Sequence, residues 1–337
     1  MSVYYRPIAQ YGPERPAGAL AIAGGWCWFE RAELIRRDAE NRLIPADQVP
    51  AEILHRITAP RAAISGLTMQ RARLMGIVNV TPDSFSDGGQ FGDADAAAAH
   101  ALQMIRDGAD IIDIGGESTR PGAQDVPHGL EISRTAPVIA AIRAHATVPI
   151  SIDTRKSRVA RAALDAGANL INDVSALSYD AQLAETTAKS GVPICLMHAR
   201  GDPASMQDEP NYQNVLLDVC DHLSERIDAA IAAGIPRARI IVDPGIGFGK
   251  TLEHNLALLR GLSLLHTLGC PILLGVSRKR FIGTLSNQPD AQARLPGSIA
   301  AALAAIAQGV QIVRVHDIAQ TRQALTIWAA TTGLRHS

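Results

Sequence analysis

The chain has 337 residues, of which 47% are hydrophobic and 19% are charged, a composition typical of a soluble globular protein with a large core. The formal net charge of −1 gives no electrostatic reason to expect nucleic acid or an anionic membrane as a partner. The sequence contains no run of about eighteen apolar residues that could span a membrane, and no basic start followed by an apolar stretch, as in a secretory signal.

Cysteine usage indicates a reducing compartment. Cys27, Cys195, Cys220 and Cys270 are scattered without C-x-x-C spacing, and Cys195 lies inside an apolar run. We expect reduced thiols, not a disulfide framework. Together with the missing secretory signal, this predicts a cytoplasmic protein.

Residues 1–70 differ in pattern from the rest and are predicted to form a small N-terminal extension of unknown role, packed on the remainder and closing its bottom. Ala19–Phe29 predicts a strand pair bent at Gly24–Gly25. Glu30–Arg42 is charged and compatible with a helix, and Glu52–Ile57 is a short amphipathic piece. The extension carries no motif with a recognisable chemistry.

From residue 71 onward, eight short apolar runs alternate with helix-length segments, most of which end at a glycine. The interiors of the runs are too short and too rich in β-branched residues for helices, so they predict parallel strands covered on the outer face. Eight such units close a (β/α)₈ TIM barrel, whose active site lies at the C-terminal ends of the strands. We therefore predict an α/β fold, with the barrel over residues 71–337. The eight runs are Arg73–Asn79, Asp110–Gly116, Val148–Asp153, Ala168–Asp173, Val192–His198, Ala238–Asp243, Pro271–Ser277 and Val310–His316.

Two connections on the strand-end face are unusually long and glycine-rich. They are Val80–Asp93 after the first strand and Glu117–Gly129 after the second. Long loops in compact domains are most often lids or binding loops. We interpret both as mobile covers over a site.

Several familiar motifs are excluded. Asp243–Thr251 resembles a phosphate-binding P-loop, but Pro244 stands where the first glycine is needed. The dinucleotide pattern G-x-G-x-x-G fails because Lys250 occupies the position of its third glycine. The sequence has no cluster with zinc spacing and no G-x-S-x-G elbow.

Polar residues end several predicted strands. Asp153 ends the third strand, Asn172 and Asp173 end the fourth, and Asp243 ends the sixth. Each of these side chains alone is explained equally well as a helix N-cap. A ring of acceptors at one barrel mouth instead suits a heterocycle with several N–H donors, such as a pterin or a guanine edge.

The last two strands carry basic residues at the same end. Arg314 and His316 alternate along the eighth strand, so both point into the barrel, and Ser277-Arg278-Lys279 closes the seventh. Barrels often bind phosphate here; the alternative for Arg314 is a buried ion pair with a strand carboxylate. Asn79 is a neutral oxygen ligand that could help hold Mg²⁺ beside a phosphate.

Three histidines have plainer expected roles. His198 is predicted as a core histidine more readily than as a functional one. His254 and His266 lie in predicted helices and are expected at the surface.

The motifs along residues 74–330, in this order, closely resemble the dihydropteroate synthase family. The segments that carry the resemblance are Met75–Gly89, Asp113–Gly122, Ser151–Thr154, Ile171–Asp173, Asp243–Lys250, Ser277–Lys279 and Arg314–Asp317.

This resemblance implies a transferase of folate biosynthesis. It would join 6-hydroxymethyl-7,8-dihydropterin diphosphate to p-aminobenzoate, giving 7,8-dihydropteroate and diphosphate by an SN1-like path. It also implies Mg²⁺ as cofactor and a homodimer. One departure is Ala199-Arg200 after His198, where the family commonly has Met-Gln.

The resemblance assigns site residues by position. Asp153, Lys279, Arg314 and His316 are implied as catalytic residues, and Asn79 as the metal ligand. Lys250 is expected near the floor or rim of the pocket. The pterin set is Asp153, Asn172, Asp243 and Lys279. The diphosphate set is Asn79, Arg120, Arg314 and His316. The p-aminobenzoate set is Thr119, Arg120, Phe248, Ser277 and Lys279.

Two other functions fit the same fold. A pterin-dependent methyltransferase domain, passing a methyl group from methyltetrahydrofolate to a corrinoid protein, shares the barrel and acidic pterin site but binds no diphosphate. Arg120, Lys279, Arg314 and His316 together argue against it. A non-catalytic binding partner of another folate enzyme is disfavoured by the intact set of strand-end residues.

Overall fold

The structure is a computed structural model that describes residues 3–80, 90–118, 125–200 and 210–333, with only the backbone described for residues 90–93. Thr119 and Arg120 lie outside these ranges, as do most of the first predicted covering loop and the middle of the second. No described helix combines the length and apolar character that a bilayer span requires.

The N-terminal extension forms its own small sheets. Strands β1, β4 and β5 make an antiparallel sheet with β4 in the middle, and β2 pairs with β3 as the predicted bent strand pair. A helix, α1, follows where the short amphipathic piece was predicted. The bounds are β1 Val3–Pro7, β2 Leu20–Ala21, β3 Trp28–Phe29, β4 Arg31–Arg36, β5 Ala39–Pro45 and α1 Ala51–Thr58.

The segment Glu30–Arg42 was wrongly expected to permit a helix. It forms β4 and the start of β5, because β4 pairs with β1 from Val3↔Arg36 to Pro7↔Ala32. Ala32 on β4 is buried in the core of the extension, and Ile35 is buried in the main core of the barrel. Pairing with a strand some thirty residues earlier overrides a weak local preference.

The TIM barrel prediction is confirmed. Eight parallel strands lie in the order β11-β10-β9-β8-β7-β6-β13-β12, and the ends of this order meet at a parallel bridge between Val242 and Ile272. The strands are β6 Arg73–Asn79, β7 Ile111–Gly115, β8 Ile150–Asp153, β9 Leu170–Asp173, β10 Ile194–Met197, β11 Ile240–Asp243, β12 Leu273–Gly275 and β13 Ile312–Val315.

Helices follow the strands around the outside, and two details differ from the pattern in the sequence. The expected helix Leu252–Leu268 breaks at Gly261, where a Cβ would lie 2.4 Å from Leu216 Cδ2, and continues as a 3₁₀ helix, Leu262–Leu268. A further helix, α8, was not predicted. The helices are α2 Gln90–Arg106, α3 His128–Arg143, α4 Ser157–Asp165, α5 Ala181–Ser190, α6 Val215–Ala232, α7 Leu252–Arg260, α8 Arg280–Ser286, α9 Leu295–Ile306 and α10 Ile318–Thr331.

The bottom of the barrel is filled by one apolar layer. Inward side chains from seven strands meet Ile64 and Met69, which are 0% and 1% exposed, and Leu67 packs against them. The chain just before β6 therefore closes the bottom, and the predicted boundary between residues 70 and 71 stays a prediction. The inward strand residues of this layer are Met75, Ile111, Leu170, Cys195, Ile241, Leu273 and Ile312.

The extension also covers the outer helices near this end. Trp26 donates from Nε1 to the carbonyl of Ile306, 2.8 Å away, and Ser263 donates to that of Pro7 at 2.8 Å. His266, expected at the surface, is fully buried, and Arg61 from the extension donates to its carbonyl oxygen. That expectation was wrong because the extension covers a helix that would otherwise be exposed.

Candidate active site

Strand register brings distant polar residues to one level above the apolar layer. Asp113 of β7 pairs with Ser151 of β8, and Asp153 two residues further pairs with Asn172 of β9. Side chains alternate along a strand, so these residues face the same interior as the buried layer below them. Asp243 of β11 and Arg314 of β13 complete the ring.

Arg314 joins two carboxylates across this ring. Its Nε lies 2.6 Å from Asp113 Oδ2, and its Nη2 lies 2.9 Å from Asp153 Oδ2. Asn172 donates from Nδ2 to the same Asp113 oxygen at 3.2 Å. The buried ion pair considered as the alternative for Arg314 is therefore present, and its role at a diphosphate stays a prediction.

Three buried polar atoms of this ring have no hydrogen-bond partner in the part of the chain described. They are Asp113 Oδ1, Asp153 Oδ1 and Ser151 Oγ. A buried acceptor left unpaired costs about 1–3 kcal/mol. The ring is therefore suited to a ligand that carries several N–H donors.

Burial tunes the acidity of two ring carboxyls. It raises the pKa of Asp153 to about 7, against the opposing charge of Arg314. It raises the pKa of Asp243 to about 6, although a hydrogen bond from the Gly245 N–H and the charges of Lys279, Lys250 and Arg314 oppose it. Both side chains therefore titrate near neutral pH.

A second part of the site lies above Asp243. The Oδ1 atom of Asp243 accepts the N–H of Gly245 at 2.7 Å, which begins a glycine-rich turn leading to Phe248. Lys279, from the loop after β12, places its ammonium 4.1 Å from the centre of the Phe248 ring. A cation over an aromatic face is an attractive arrangement, and this one borders the barrel mouth.

The ends of β12 and β13 are joined at the next position around the barrel. Ser277 Oγ lies 2.9 Å from His316 Nδ1 and accepts the His316 N–H at 3.2 Å. Arg278, with a positive φ of 59°, makes two hydrogen bonds to Asp317 at 3.1 Å and 2.6 Å. These contacts fix Ser277 beside His316.

Asp173, the neighbour of Asn172, is not the helix N-cap considered above, because Asp180 caps α5. Its Oδ1 accepts the N–H of Ser175 at 2.8 Å, and its Oδ2 accepts that of Leu177 at 2.6 Å. Its side chain therefore serves the turn after β9, whereas that of Asn172 belongs to the ring.

Sequence reasoning missed Asp113 and Ser151 as site residues. The available signal was strand parity: Asp113 is a charged residue in the middle of an apolar run, two residues from Ile111 and Gly115 on the same face. A charge there must point into the barrel, where only a partner or a ligand can compensate it. Thr119 and Arg120 were predicted in this site but lie outside the described residues.

Asn79 is the residue that the sequence predicted as a magnesium ligand. Among the described residues, no group of three or more His, Cys, Asp or Glu side chains could hold a metal. Mg²⁺ bound through substrate phosphates needs only one or two protein oxygens. Asn79 Oδ1 and Asp153 Oδ2 flank Gly115, where a Cβ would lie 3.6 Å and 3.8 Å from them.

Comparison with known proteins agrees with this geometry. The model of the pterin-binding enzyme family matches residues 75–316. A dihydropteroate synthase of Neisseria meningitidis serogroup C is 49% identical over 265 residues, which are 78% of this chain and 93% of that protein. The chain belongs to the dihydropteroate synthase family. The resemblance inferred from the motifs is thereby confirmed.

Other members of the family give the same picture. The dihydropteroate synthase of Escherichia coli K12 is 44% identical over 81% of this chain and 96% of its own. A Xanthomonas albilineans dihydropteroate synthase solved with 4-aminobenzoic acid has a TM-score of 0.77 and 47% identity, covering 82% of this chain and 99% of that one. The same enzyme with 7,8-dihydropteroate gives 0.74 and 44%, covering 82% of this chain and 100% of that one.

These relatives favour the synthase over the methyltransferase considered above, and they identify the chain as an enzyme. The match to the family model begins at residue 75 of this chain. The extension through residue 70 therefore precedes the region that the family model matches.

Proposed function

We propose that this protein condenses 6-hydroxymethyl-7,8-dihydropterin diphosphate with p-aminobenzoate, giving 7,8-dihydropteroate and diphosphate in folate biosynthesis. The observation that carries the proposal is the ring of Asp113, Ser151, Asp153, Asn172 and Asp243 around Arg314. Within the described residues, three buried polar atoms of this ring have no hydrogen-bond partner. Family membership supports it independently.

The pterin ring is assigned to the lower part of the pocket. Its N–H groups would donate to the carboxylates of Asp153 and Asp243, with Asn172 and Lys279 beside them. Asp113 serves the same pocket by holding Arg314 and Asn172 in place. Satisfying several buried acceptors at once selects a donor-rich heterocycle over a merely flat one.

The diphosphate is assigned to Asn79, Arg120, Arg314 and His316. Arg314 uses Nε and Nη2 for carboxylates, and its Nη1 donates no hydrogen bond within the described residues, so it can bind a phosphate oxygen while both ion pairs stay intact. Magnesium bound at Asn79 would neutralise part of the charge that grows on the leaving diphosphate.

The residues suit a path in which the C–O bond to diphosphate breaks before the new C–N bond forms. Arg314 and His316 stabilise the departing anion, and the electron-rich pterin held by Asp153 and Asp243 supports the methylene cation. The arylamine then attacks from the side of Phe248, Ser277 and Lys279, and the resemblance to the family adds Thr119 to this set. The amine loses its proton readily once bonded, so a strong general base is not needed.

The test is an assay of diphosphate release with both substrates and Mg²⁺. The proposal expects release that depends on p-aminobenzoate and equals the dihydropteroate formed. Release without the amine would indicate a hydrolase. Methyl transfer from methyltetrahydrofolate to a corrinoid protein, without any diphosphate chemistry, would indicate the alternative methyltransferase.

Three finer features complete the proposal. A requirement for Mg²⁺ predicts that a chelator abolishes turnover and that added Mg²⁺ restores it.

A homodimer predicts twice the chain mass of 35.7 kDa in sedimentation equilibrium. A cytoplasmic location is supported by four buried cysteines that remain free thiols, and cell fractionation tests it.

A further inference from the structure

The loop between β11 and α7 is pressed against the chain that follows β10. A Cβ at Gly245 would lie 1.9 Å from the carbonyl oxygen of His198, and a Cβ at Gly249 would lie 2.5 Å from that of Arg200. Both glycines have positive φ angles, 66° and 59°, which other residues rarely adopt. Contact between the two backbones therefore depends on glycine at both positions.

Lys250 ties the same two segments together from the inside. Its side chain is only 1% exposed, and Nζ lies 2.9 Å from His198 Nδ1, 2.9 Å from the carbonyl oxygen of Phe248 and 3.4 Å from that of His198. An ammonium has three N–H donors, so one acceptor is present for each. None of the three acceptors is a carboxylate.

We call the contacts of Lys250 with His198 and Phe248, together with the side chains packed around them, the His198 clasp. Burial, followed by the charge of Lys250, lowers the pKa of His198 to about 2, so the ring is neutral and its Nδ1 accepts from the ammonium. The His198 ring also packs edge-on against His222, with centroids 4.8 Å apart. Tyr212 donates from its hydroxyl to the carbonyl of Gly249 at 2.8 Å. The backbone carbonyls of Phe248 and Gly249 therefore each accept a hydrogen bond, from Lys250 and from Tyr212 respectively.

Fixing the backbone of Phe248 fixes where its ring points. Its N–H donates to the carbonyl of Gly245 at 3.1 Å, its carbonyl accepts from Lys250, and its ring faces the ammonium of Lys279 at 4.1 Å. We propose that Lys250 is a positioning residue for the arylamine half of the site, acting on Phe248 through the His198 clasp. The proposal rests on the proposed function, in which Phe248 and Lys279 surround p-aminobenzoate.

A packing role alone would favour an apolar side chain here. Burial lowers the pKa of Lys250 to about 7, which means that holding its charge in this place is costly. Lys250→Met keeps the length of the side chain and removes all three donors, so it separates packing from positioning.

We expect Lys250→Met to raise the KM for p-aminobenzoate about tenfold and to leave the KM for the pterin diphosphate within twofold. The matched control is Lys189→Met on α5, whose side chain is 74% exposed, and which should change neither KM. An unchanged KM for p-aminobenzoate in Lys250→Met would overturn the proposal. So would an equal rise in both KM values with a lower kcat, because that indicates general damage.

A second variant keeps the test decisive if Lys250→Met does not fold. His198→Gln retains an acceptor but loses the ring, and we expect a smaller rise confined to the KM for p-aminobenzoate. In the double variant the two effects should be less than additive, because both act on one clasp. Full additivity would count against the clasp.

Hydrogen exchange separates failure of this proposal from failure of the proposed function. The amides of residues 245–251 should exchange faster in Lys250→Met than in Lys189→Met, whatever the enzyme catalyses. Equal exchange rates would contradict the proposed role of Lys250, even if the protein is an active synthase. If the wild type is inactive as a synthase but exchange is still faster in Lys250→Met, the proposed function is contradicted and the positioning of Phe248 by Lys250 is not.

Discussion

Arg314 donates to Asp113 at 2.6 Å and to Asp153 at 2.9 Å, so a single guanidinium bridges carboxyl groups from two neighbouring strands. The two aspartates lie 201 and 161 residues away from Arg314 in the sequence. Within the described part of the chain, the Oδ1 atoms of both aspartates still have no hydrogen-bond partner. One positive charge therefore faces two carboxyl groups, and the ring keeps acceptors that a ligand can satisfy.

Replacing Arg314 with alanine should lower turnover at saturating substrates by about 100-fold, because charge on the leaving diphosphate loses a fixed donor. The free energy of unfolding should also fall by about 3–5 kcal/mol, since two buried carboxylates lose their cation. Turnover is measured by diphosphate release and stability by chemical denaturation.

Arg322→Ala is the matched control for this variant. Arg322 also pairs with an aspartate, Asp110, with Nη2 2.5 Å from Oδ2, but at the opposite end of the barrel. We expect it to lose stability and to keep turnover within twofold. Equal turnover in Arg314→Ala and the wild type would contradict the diphosphate role.

Asp113→Asn should raise the KM for the pterin diphosphate about tenfold or more and leave that for p-aminobenzoate nearly unchanged. Its carboxylate anchors both Arg314 and Asn172, so the pterin half of the site loses its geometry. Steady-state kinetics with each substrate varied in turn measures both constants.

Asp173→Asn provides the comparison. Asp173 is equally buried and next to Asn172, but its oxygens accept backbone N–H groups of the following turn. It should lose stability without a selective change in the pterin KM. A selective rise in Asp173→Asn as large as that in Asp113→Asn would show that the effect is not specific to the ring.

The two titrating aspartates predict an acid limb in the pH profile. With pKa values raised to about 7 for Asp153 and about 6 for Asp243, both lose their charge as the pH falls through this window. The value of kcat/KM for the pterin diphosphate should therefore drop below about pH 7, with apparent constants that belong to the coupled ring. A flat profile from pH 5 to pH 8 would contradict this.

Asp153 should also make the protein less stable as the pH rises. The ordinary pKa of an aspartate is 3.8 and that of Asp153 in the folded protein is about 7, so between these values the folded state binds more protons than the unfolded one. Stability from this group is present below about pH 4 and is lost through pH 7. The change in Tm caused by Asp153→Asn should therefore be more favourable at pH 8 than at pH 4, and the variant should not turn over the pterin diphosphate. A more favourable change in Tm at pH 4 than at pH 8 would contradict this prediction.

The extension should contribute stability without taking part in catalysis. Phe29 is fully buried in its separate core, so Phe29→Ala should lower the free energy of unfolding by about 3–5 kcal/mol. Leu43→Ala, at a side chain that is 56% exposed, should change it by less than about 0.5 kcal/mol. Calorimetry measures both, and kcat of either variant should match the wild type at a temperature where it is folded.

The barrel could be predicted from the sequence because its signals are local. Each strand is a short apolar run and each helix a longer periodic one, and the first strand was predicted as it is found, Arg73–Asn79. Polar residues at the ends of these runs, among them Asp153, Asp243 and Arg314, could be assigned to one mouth, since parallel strands all end on the same side.

The remaining features depend on partners that are far away in the chain. Glu30–Arg42 became strands because β1 was available to pair, and His266 became buried because the extension covers it. That Arg314 binds Asp113 as well as Asp153, and that Lys250 points at His198, follows from barrel closure and loop packing. Alternation along each strand determines which side chains enter the barrel, but hydrogen bonds act over about 3 Å, so only the tertiary structure decides which of them meet.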